Sequence, residues 1–445
     1  MNKELIIRSH SSAVDFALLK DGKLIELNKE VEDNKFSVGD IFVGKIRKSV
    51  PGLNASFVNV GHEKDGFLHY HDLGPKLPSL IKYIKQVSTG KNKDYLLKQF
   101  RYESDIEKDG NIAEVLSPKQ TVLVQIVKEP ISTKGPRLSS EISLAGRFMV
   151  LMPFSDRVSI SQKIEDRAEK TRLKKLVQSI RPKGFGLIIR TVAEGQKVAA
   201  LDADIEQLLK RWKNLSIKLK QIDKYPTKVL SEINRSSSII RDIFDNNFTG
   251  IHVDDAEIQN EIKDYLEKIA PDKKSIVKLY DNHLPIFEKF GIERQIKSSF
   301  GKTVSMQKGA YLVIEHTEAL HVIDVNSGNR SNRSKSQEDT AMEVNLIAAS
   351  EIARQLRLRD MGGIIVVDFI DLNSNSNRKK LFEFLTNEMS ADRTKHKILP
   401  PSRFGLIQIT RQRVRPEMNI KTKEPNPNEN GEVEAPIVII DKINT

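Results

Sequence analysis

Two apolar stretches of this 445-residue chain each end on an aspartate, and the two carboxylates are the first candidates for chemistry. The stretches are HVIDVNSGN at 321–329 and GGIIVVDFIDL at 362–372, so the residues are Asp324 and Asp368. Runs of β-branched residues predict strands in the interior of a sheet. An unpaired buried carboxylate costs several kcal/mol, so we expect a positive partner beside this pair.

The spacing of Asp324 and Asn326 predicts that their side chains lie on the same face of a strand. Residues two apart in a strand face the same side, so Asp324 and Asn326 should present their side chains together. If the two strands are neighbours, Asp324 and Asp368 meet at one edge of the sheet. Such oxygen ligands suit Mg²⁺, which lowers the pKa of bound water. The alternative is that each aspartate caps the loop or helix that follows it.

A basic loop, SGNRSNRSKS at 327–336, follows the first aspartate. Its Arg330 and Arg333 are candidates for gripping a phosphodiester. The alternative is a solvated loop without a ligand.

Composition favours a polyanionic partner. Lys and Arg number 72 against 60 Asp and Glu, which gives a net charge of +12. Such an excess favours nucleic acid or an anionic membrane surface, with mere solubility as the alternative. The chain has no cysteine, which excludes disulfides, thiolate metal sites and a cysteine nucleophile. It also has no long apolar run and no signal-peptide pattern, so we expect a cytoplasmic protein without a membrane partner.

The N-terminal half has the pattern of short strands. Residues 1–28 predict two or three strands joined by a turn at Asp21-Gly22, and residues 38–73 with 121–129 predict a five-stranded barrel. Between them, residues 74–111 are interpreted as a basic inserted loop with one short helix, KDYLLKQF. Alternation in NASFVNVG puts Phe57 on the more polar face, where it and Phe67 could stack bases; the alternative is ordinary barrel core.

The C-terminal half alternates helices and strands, which predicts a sheet covered by helices. A long helix is expected after the capping pair Ser336 and Asp339, and it should end near Gly362-Gly363. The composition of KTKEPNPNENGEVEAP predicts a linker, and IVIIDKINT after it is interpreted as the start of a further domain.

Three motifs resemble the catalytic core of the RNase E/G endoribonucleases: IDVNSGN, EIARQLRLRDMGGIIVVDFIDL and SRFGLIQITRQR. The resemblance implies that Asp324 and Asp368 bind Mg²⁺, with Mn²⁺ as an open alternative, and that Asn326 orients Asp324 or the scissile phosphate. It implies hydrolysis of single-stranded RNA to 5′-phosphate and 3′-hydroxyl ends. Asp371 is expected to point the other way and to serve structure.

The resemblance also implies two surfaces that hold RNA. On the barrel, the matching residues are Phe57, Phe67 and Lys134. The segments SLAGRFMVLMP and GFGLIIRTVAEG resemble the family's pocket for a 5′-monophosphate. In that pocket Arg190 and Thr191 would bind the phosphate, and Gly146 and Val150 would shape the wall.

The implied fold class is multidomain α+β and α/β. An RNase H-like domain would combine residues 1–36 and 236–299, and an OB-fold barrel would span 37–140 with the insertion at 74–111. A 5′-monophosphate sensor would span 141–235 and a DNase I-like catalytic domain 300–420, followed by a linker and a truncated further domain at 421–445.

These expectations describe a Mg²⁺-dependent endoribonuclease that cuts A/U-rich single strands of rRNA precursors and mRNA and is stimulated by a 5′-monophosphate. The alternative is a catalytically weak RNA-binding or ribosome-maturation factor; a DNA nuclease is a third hypothesis. Family members commonly carry a cysteine-containing zinc link, which this chain lacks. Zinc is therefore not expected, a tetramer is in doubt and a homodimer is left open.

Overall fold

The structure is a computed structural model that describes residues 2–11, 13–31, 35–91, 95–130, 134–231, 235–245, 247–328, 336–402, 404–413, 417–425 and 432–442. Its contacts divide the chain into two compact units. The first comprises Met1–Asp33, Asn247–Lys263 and Asp272–Thr445, and the second comprises Asn34–Asn246 and Asp264–Pro271.

The described strands, in chain order, are β1 (Lys3–Ser9), β2 (Ala13–Lys20), β3 (Lys23–Val31), β4 (Ile41–Val50), β5 (Ala55–Asn59), β6 (Gly66–His69), β7 (Thr121–Lys128), β8 (Arg137–Ser139), β9 (Leu144–Ala145), β10 (Met149–Pro153), β11 (Val158–Ile160), β12 (Phe185–Ile189), β13 (Thr227–Leu230), β14 (Phe248–Val253), β15 (Val277–Leu279), β16 (Thr303–Ser305), β17 (Tyr311–His316), β18 (Leu320–Asn326), β19 (Gly363–Asp368), β20 (His396–Ile398), β21 (Ile407–Arg411), β22 (Met418–Pro425) and β23 (Glu432–Lys442). The described α-helices are α1 (Leu77–Ser88), α2 (Ile112–Val115), α3 (Arg167–Ile180), α4 (Val198–Lys220), α5 (Arg235–Ile243), α6 (Ala256–Ile269), α7 (Ile286–Lys289), α8 (Ile292–Ser299), α9 (Gln337–Leu358) and α10 (Asn375–Ser390).

In the first unit, the N-terminal strands join strands from much later in the chain. The order of this sheet is β15-β14-β1-β2-β3, and β1 runs parallel to β14. Asp21 and Gly22, between β2 and β3, have φ of 48° and 77°. Two consecutive positive φ values give the tight hairpin turn that suits the strand twist, so the predicted turn is confirmed.

The other main sheet of the first unit carries the two aspartates. Its order is β16-β17-β18-β19-β21-β20, and β18 and β19 are parallel neighbours. Alternate residues of these strands, such as Ile323 and Val367, share one apolar core with residues of α9 and α10 such as Ile352 and Leu385. The predicted helix-covered sheet is therefore present.

A buried guanidinium ties α9 to the rest of the first unit. Ser336 caps the helix by accepting a hydrogen bond from the Asp339 amide, as the capping pair predicts. Farther along, Arg354 pairs with Glu351 and donates from Nη1 to the carbonyl oxygen of Leu24, 2.7 Å away, in β3. Because an unpaired buried charge is costly, this contact fixes the helix relative to the N-terminal sheet.

The second unit contains the predicted barrel. Strands β4, β5, β6, β8 and β7 follow one another, and β7 pairs again with β4, which closes the sheet into a five-stranded, OB-like barrel. A second sheet, β11-β12-β10-β9, packs with α3 and α4 around the fully buried Trp212.

The helix expected within residues 74–111 lies earlier than the sequence pattern indicates. It is α1, whose buried face includes Leu80, Tyr83 and Val87, and Pro78 stands in its first turn. Of KDYLLKQF, residues 93 and 94 lie outside the described ranges, and 95–100 form turns with φ of 58° at Leu97. The helix prediction for that segment is wrong, because its apolar residues pack individually against the core of the second unit.

The segment predicted as a linker, residues 421–436, differs from expectation where the structure describes it. β22 and β23 pair antiparallel, with Ile420 opposite Ile440, and residues 426–431 lie outside the described ranges. The β-branched run IVII at 437–440 favours a strand over an unstructured linker. Within the described residues, no helix is both long and apolar enough to cross a membrane.

Candidate active site and binding surfaces

Asp324 and Asp368 stand side by side at the ends of β18 and β19. Their Cα atoms are register partners in the parallel ladder, so the predicted meeting at one edge of the sheet is present. Both side chains are exposed, whereas the residues directly before and after each aspartate are buried. The expected burial of the two carboxylates is therefore wrong, because the strand alternation turns each of them outward.

Asn326 is positioned as its spacing predicts. It lies two residues beyond Asp324 in β18, and its Nδ2 donates to Asp324 Oδ2 over 2.7 Å. This bond holds one carboxylate oxygen in place and leaves Oδ1 of Asp324 available for another ligand.

The electrostatics of the pair favour a bound cation. Burial first, and then the charges of Asp324 and Asp371, raise the pKa of Asp368. Within the described ranges, no Lys or Arg forms an ion pair with any of these three aspartates. The predicted ligands Arg330 and Arg333 lie outside the described residues. Carboxylates that repel one another without a basic partner form an oxygen-donor set that suits a hard divalent ion.

Asp371 does not follow the strand alternation used to predict its direction. Side chains alternate between the two faces only within a strand, and β19 ends at Asp368. The alternation therefore does not apply to Asp371, three residues further on. Asp371 is exposed, and its charge acts on Asp368. It therefore contributes to the acidic field of the site.

A phenylalanine that sequence reasoning missed, Phe404, lies close to Asp371. Phe404 is 85% exposed, and a Cβ placed on its neighbour Gly405 would lie 3.7 Å from Asp371 Oδ1. The sequence places Phe404 at the start of a strand, but β21 begins only at Ile407. An aromatic ring this exposed gains nothing from packing in the free protein, which makes it a candidate for ligand contact.

On the barrel, aromatic rings form a row across two strands. Phe57 of β5 pairs in register with Phe67 of β6, and their ring centroids are 5.8 Å apart at 74°. The row continues through His69 and His71, with centroid separations of 6.4 Å and 5.1 Å. Both phenylalanines are half-buried, whereas Val58 and Val60 are buried, as the alternation predicts.

One lysine contacts this aromatic row, and a second is exposed in the segment before β8. Lys48 Nζ lies 5.1 Å from the centre of the Phe57 ring, a contact that sequence reasoning missed. Lys134 is exposed and precedes β8, which pairs in parallel with β6. Cationic groups beside half-exposed rings give the combination that single-stranded nucleic acids bind.

The four residues matched to the phosphate pocket converge around β10 and β12. Arg190, directly after β12, donates from Nη1 to the carbonyl oxygen of Gly146, 2.7 Å away. Val150 pairs in register with Ile188. Thr191 Oγ1 lies 3.0 Å from the hydroxyl of Ser161.

Asp242 already occupies the fork of Arg190, which the sequence did not predict. Arg190 Nη2 donates to Asp242 Oδ1 over 2.8 Å, and Arg241 contacts the same carboxylate. Burial raises the pKa of Asp242, but the charges of Arg241 and Arg190 outweigh burial, and the net pKa is lowered. Asp242 is therefore an internal anion that already accepts from the guanidinium that the resemblance assigns to a phosphate.

The closed barrel with its aromatic row and the sheet with its acidic pair are consistent with a multidomain α+β protein. A model of the Ribonuclease E/G family matches residues 143–414. The chain is 33% identical to Ribonuclease G of Haemophilus influenzae over 93% of this chain and 80% of the relative, and 32% identical to Ribonuclease G of Escherichia coli over 93% and 81%. It is 35% identical to Ribonuclease E of a Nostoc species over 93% of this chain but only 56% of that relative.

The chain belongs to the Ribonuclease E/G family. Membership confirms the resemblance seen in the three motifs and the predicted class of protein, an endoribonuclease, which is a hydrolase acting on RNA. It also implies dependence on a divalent metal in general.

Proposed function

We propose that the protein hydrolyses single-stranded, A/U-rich RNA with Mg²⁺ and leaves 5′-phosphate and 3′-hydroxyl ends. The observation that carries this proposal is the register pairing of Asp324 with Asp368 on adjacent parallel strands. Two exposed carboxylates at one position, without a basic partner in the described part of the chain, are the arrangement that a phosphodiester-cleaving metal site needs.

The donor set fits Mg²⁺. Asp324 and Asp368 would hold the ion, and Asn326 would keep Asp324 oriented through the bond from its Nδ2. Ligands that are all oxygen suit Mg²⁺, which retains several waters, and Mn²⁺ accepts the same set. When bound, a divalent ion supplies charge stabilisation to the phosphate and lowers the pKa of water.

Phe57, Phe67, Lys48 and Lys134 would hold the RNA strand on the barrel. Rings stack on any base, and the lysines attract the backbone, so this surface would bind unpaired RNA with little sequence preference. Near the acidic cluster, the exposed ring of Phe404 would stack on a base close to the scissile bond.

The Arg190 pocket would sense a 5′-monophosphate. The planar fork of Arg190 suits a phosphate, Thr191 offers a hydroxyl, and Gly146 and Val150 form the wall. Because Asp242 occupies the fork, the terminal phosphate would replace this carboxylate when it binds.

We also propose the domain organisation that the resemblance implies. An RNase H-like domain built from residues 1–36 and 236–299 is supported by the parallel pairing of β1 with β14. The OB-fold would span 37–140, the sensor 141–235 and a DNase I-like catalytic domain 300–420. Single-stranded regions of rRNA precursors and mRNA in the cytoplasm would be the substrates.

One substrate pair tests this function. A short unpaired RNA is prepared with either a 5′-monophosphate or a 5′-hydroxyl and is incubated with the protein in Mg²⁺ or in EDTA. We expect cleavage only with Mg²⁺, and faster cleavage of the monophosphorylated RNA. Binding without cleavage in Mg²⁺ would instead support the alternative of an RNA-binding factor.

A further inference from the structure

Two histidines face one another at the tip of the β17–β18 hairpin. His316 and His321 are register partners in the antiparallel ladder, and their Nδ1 atoms lie 2.7 Å apart. His321 is buried, whereas the side chain of His316 is 47% exposed. The pair therefore lies at the surface with one side open to solvent.

Glu417, just before β22, completes the group. Its Oε1 lies 2.8 Å from His321 Nε2, and its Oε2 lies 3.6 Å from His316 Nδ1. One ligand atom from each residue falls within 4.8 Å of the other two, and in the described ranges this is the one set of three His, Cys, Asp or Glu side chains that does so.

Hydrogen bonding shows which nitrogen of His321 is free to bind. Its Nε2 lies 3.1 Å from the carbonyl oxygen of Gly362, which can only accept a hydrogen bond. Nε2 therefore carries the proton, and the Nδ1 of neutral His321 presents a lone pair toward His316. A ligating histidine whose other nitrogen donates to a carbonyl or carboxylate is the usual arrangement around protein-bound zinc.

We propose that His316, His321 and Glu417 form a binding site for Zn²⁺ or a similar divalent transition-metal ion, separate from the acidic pair. Zn–N and Zn–O bonds of about 2.0–2.2 Å in a tetrahedral site put neighbouring ligand atoms roughly 3.4 Å apart. The separations of 2.7 Å between the two Nδ1 atoms and 3.6 Å between His316 Nδ1 and Glu417 Oε2 lie on either side of that value. Glu417 Oε1 meanwhile accepts from His321 Nε2, so the carboxylate would turn its Oε2 toward the ion.

The chemistry of the donors separates this site from the acidic pair. Imidazole nitrogens suit zinc and related ions, whereas the carboxylate and amide oxygens around Asp324 suit Mg²⁺. Three protein ligands leave a fourth position, which the exposed side of His316 opens to water. The expectation that zinc is absent came from the lack of cysteine, and it does not apply to this imidazole and carboxylate set.

The expected role is to hold the hairpin tip against the segment that begins β22. Glu417 precedes Met418, whose amide donates to the carbonyl oxygen of Arg359 over 3.0 Å. An ion that binds only the folded arrangement would stabilise this junction.

The test uses the full chain carrying Asp324→Asn and Asp368→Asn, so that the acidic pair does not contribute. Metal-free protein is titrated with ZnCl₂ by calorimetry. We expect one tightly bound ion per chain, and at least tenfold weaker binding after either His316→Gln or Glu417→Gln. His283→Gln, which changes another exposed histidine of the same unit, should leave the affinity unchanged.

Thermal unfolding gives a second readout that involves no RNA. Zn²⁺ should raise the unfolding temperature of the parent and of His283→Gln but not of His316→Gln. Because His316 is exposed, its variant should unfold like the parent in EDTA, which shows that the fold is intact. Three results would each overturn the site. They are an unchanged zinc affinity in His316→Gln, no tightly bound ion in the parent, and a loss of zinc affinity in His283→Gln equal to that in His316→Gln.

Discussion

Asp324 lies directly beside Asp368, at the same register of two adjacent parallel strands. Both carboxylates are exposed, and the charges of Asp324 and Asp371, together with burial, raise the pKa of Asp368. The described residues contribute no Lys or Arg partner to the pair. Carboxylates held together in this way form an oxygen-donor set that suits a divalent cation.

The aromatic row of the barrel should contribute to RNA affinity. Removing a ring that stacks on a base typically costs about 1–3 kcal/mol, so Phe57→Ala and Phe67→Ala should each weaken binding of unpaired RNA by roughly 5- to 150-fold. Fluorescence anisotropy with a labelled single strand measures this. Leu53→Ala, an exposed apolar residue of the same barrel, is the control and should bind like the parent. Parental affinity in both folded phenylalanine variants would exclude stacking on this surface.

Phe404 should matter for cleavage and not for folding. Its side chain is 85% exposed, so Phe404→Ala should change the free energy of unfolding by no more than about 0.5 kcal/mol. Loss of a stacked base near the scissile bond should lower kcat/KM by roughly tenfold. Leu284→Ala, at an exposed apolar residue of the same unit, is a matched control. A Phe404 variant with the parent's kcat/KM would show that the ring does not contact substrate.

The contact between Arg190 and Asp242 predicts opposite effects for its two residues. Arg190→Ala should remove the preference for a 5′-monophosphate, because the planar fork is lost. Asp242→Asn should enlarge that preference, because the internal anion no longer competes for Arg190. Cleavage rates of 5′-phosphate and 5′-hydroxyl RNAs are compared for each variant, with Asp223→Asn as an exposed control. A reduced preference in Asp242→Asn would mean that Asp242 positions Arg190 and does not compete with the phosphate.

A buried ion pair between β21 and the segment after α10 should make stability depend on pH. Arg411 Nε lies 2.7 Å from Asp392 Oδ2, and both side chains are nearly inaccessible. Burial raises the pKa of Asp392, but hydrogen bonds and charge from Arg411 outweigh burial, so the net pKa falls below the ordinary 3.8. A carboxyl whose folded pKa is lowered stabilises the fold above its unfolded pKa and loses that contribution as pH falls through the folded value.

Arg411→Ala should therefore cost about 3–5 kcal/mol at pH 7, because it removes the guanidinium that compensates a buried carboxylate. As pH falls below about 4, the free energy of unfolding measured with urea should decrease less in Arg411→Ala than in the parent, because protonation of Asp392 no longer breaks an ion pair. Arg393→Ala breaks the more exposed pair with Glu26 and should cost at most about 1 kcal/mol. Equal costs for the two arginine variants would contradict the energetic difference between the two pairs.

Features set by local spacing were predicted from the sequence. The shared face of Asp324 and Asn326, the Asp21-Gly22 turn and the cap at Ser336 depend on a few consecutive residues. The meeting of Asp324 and Asp368 was predicted for the case that their strands are neighbours, and β18 and β19 are neighbours. The expected burial of the two carboxylates was wrong, because the strand alternation turns both outward.

Features set by distant contacts were missed. Asp242 reaches Arg190 across 52 residues, and nothing in the local sequence marks it. The contact of Lys48 with Phe57 depends on the register between β4 and β5. The misplaced helix had a usable signal, since Pro78 in the first turn is typical of a helix start.

The measurement that tests the central claim most directly separates binding from cleavage in two variants. Asp324→Asn and Asp368→Asn keep the size of each side chain but remove its charge, and Asp281→Asn changes an exposed aspartate elsewhere in the same unit. Single-turnover cleavage in Mg²⁺ and anisotropy of the same RNA are measured for all three. We expect cleavage to fall by at least about a thousandfold in the first two variants, with RNA affinity within a few-fold of the parent and Asp281→Asn unaffected. Cleavage at the parent's rate by either Asp324→Asn or Asp368→Asn would contradict the assignment of the metal site.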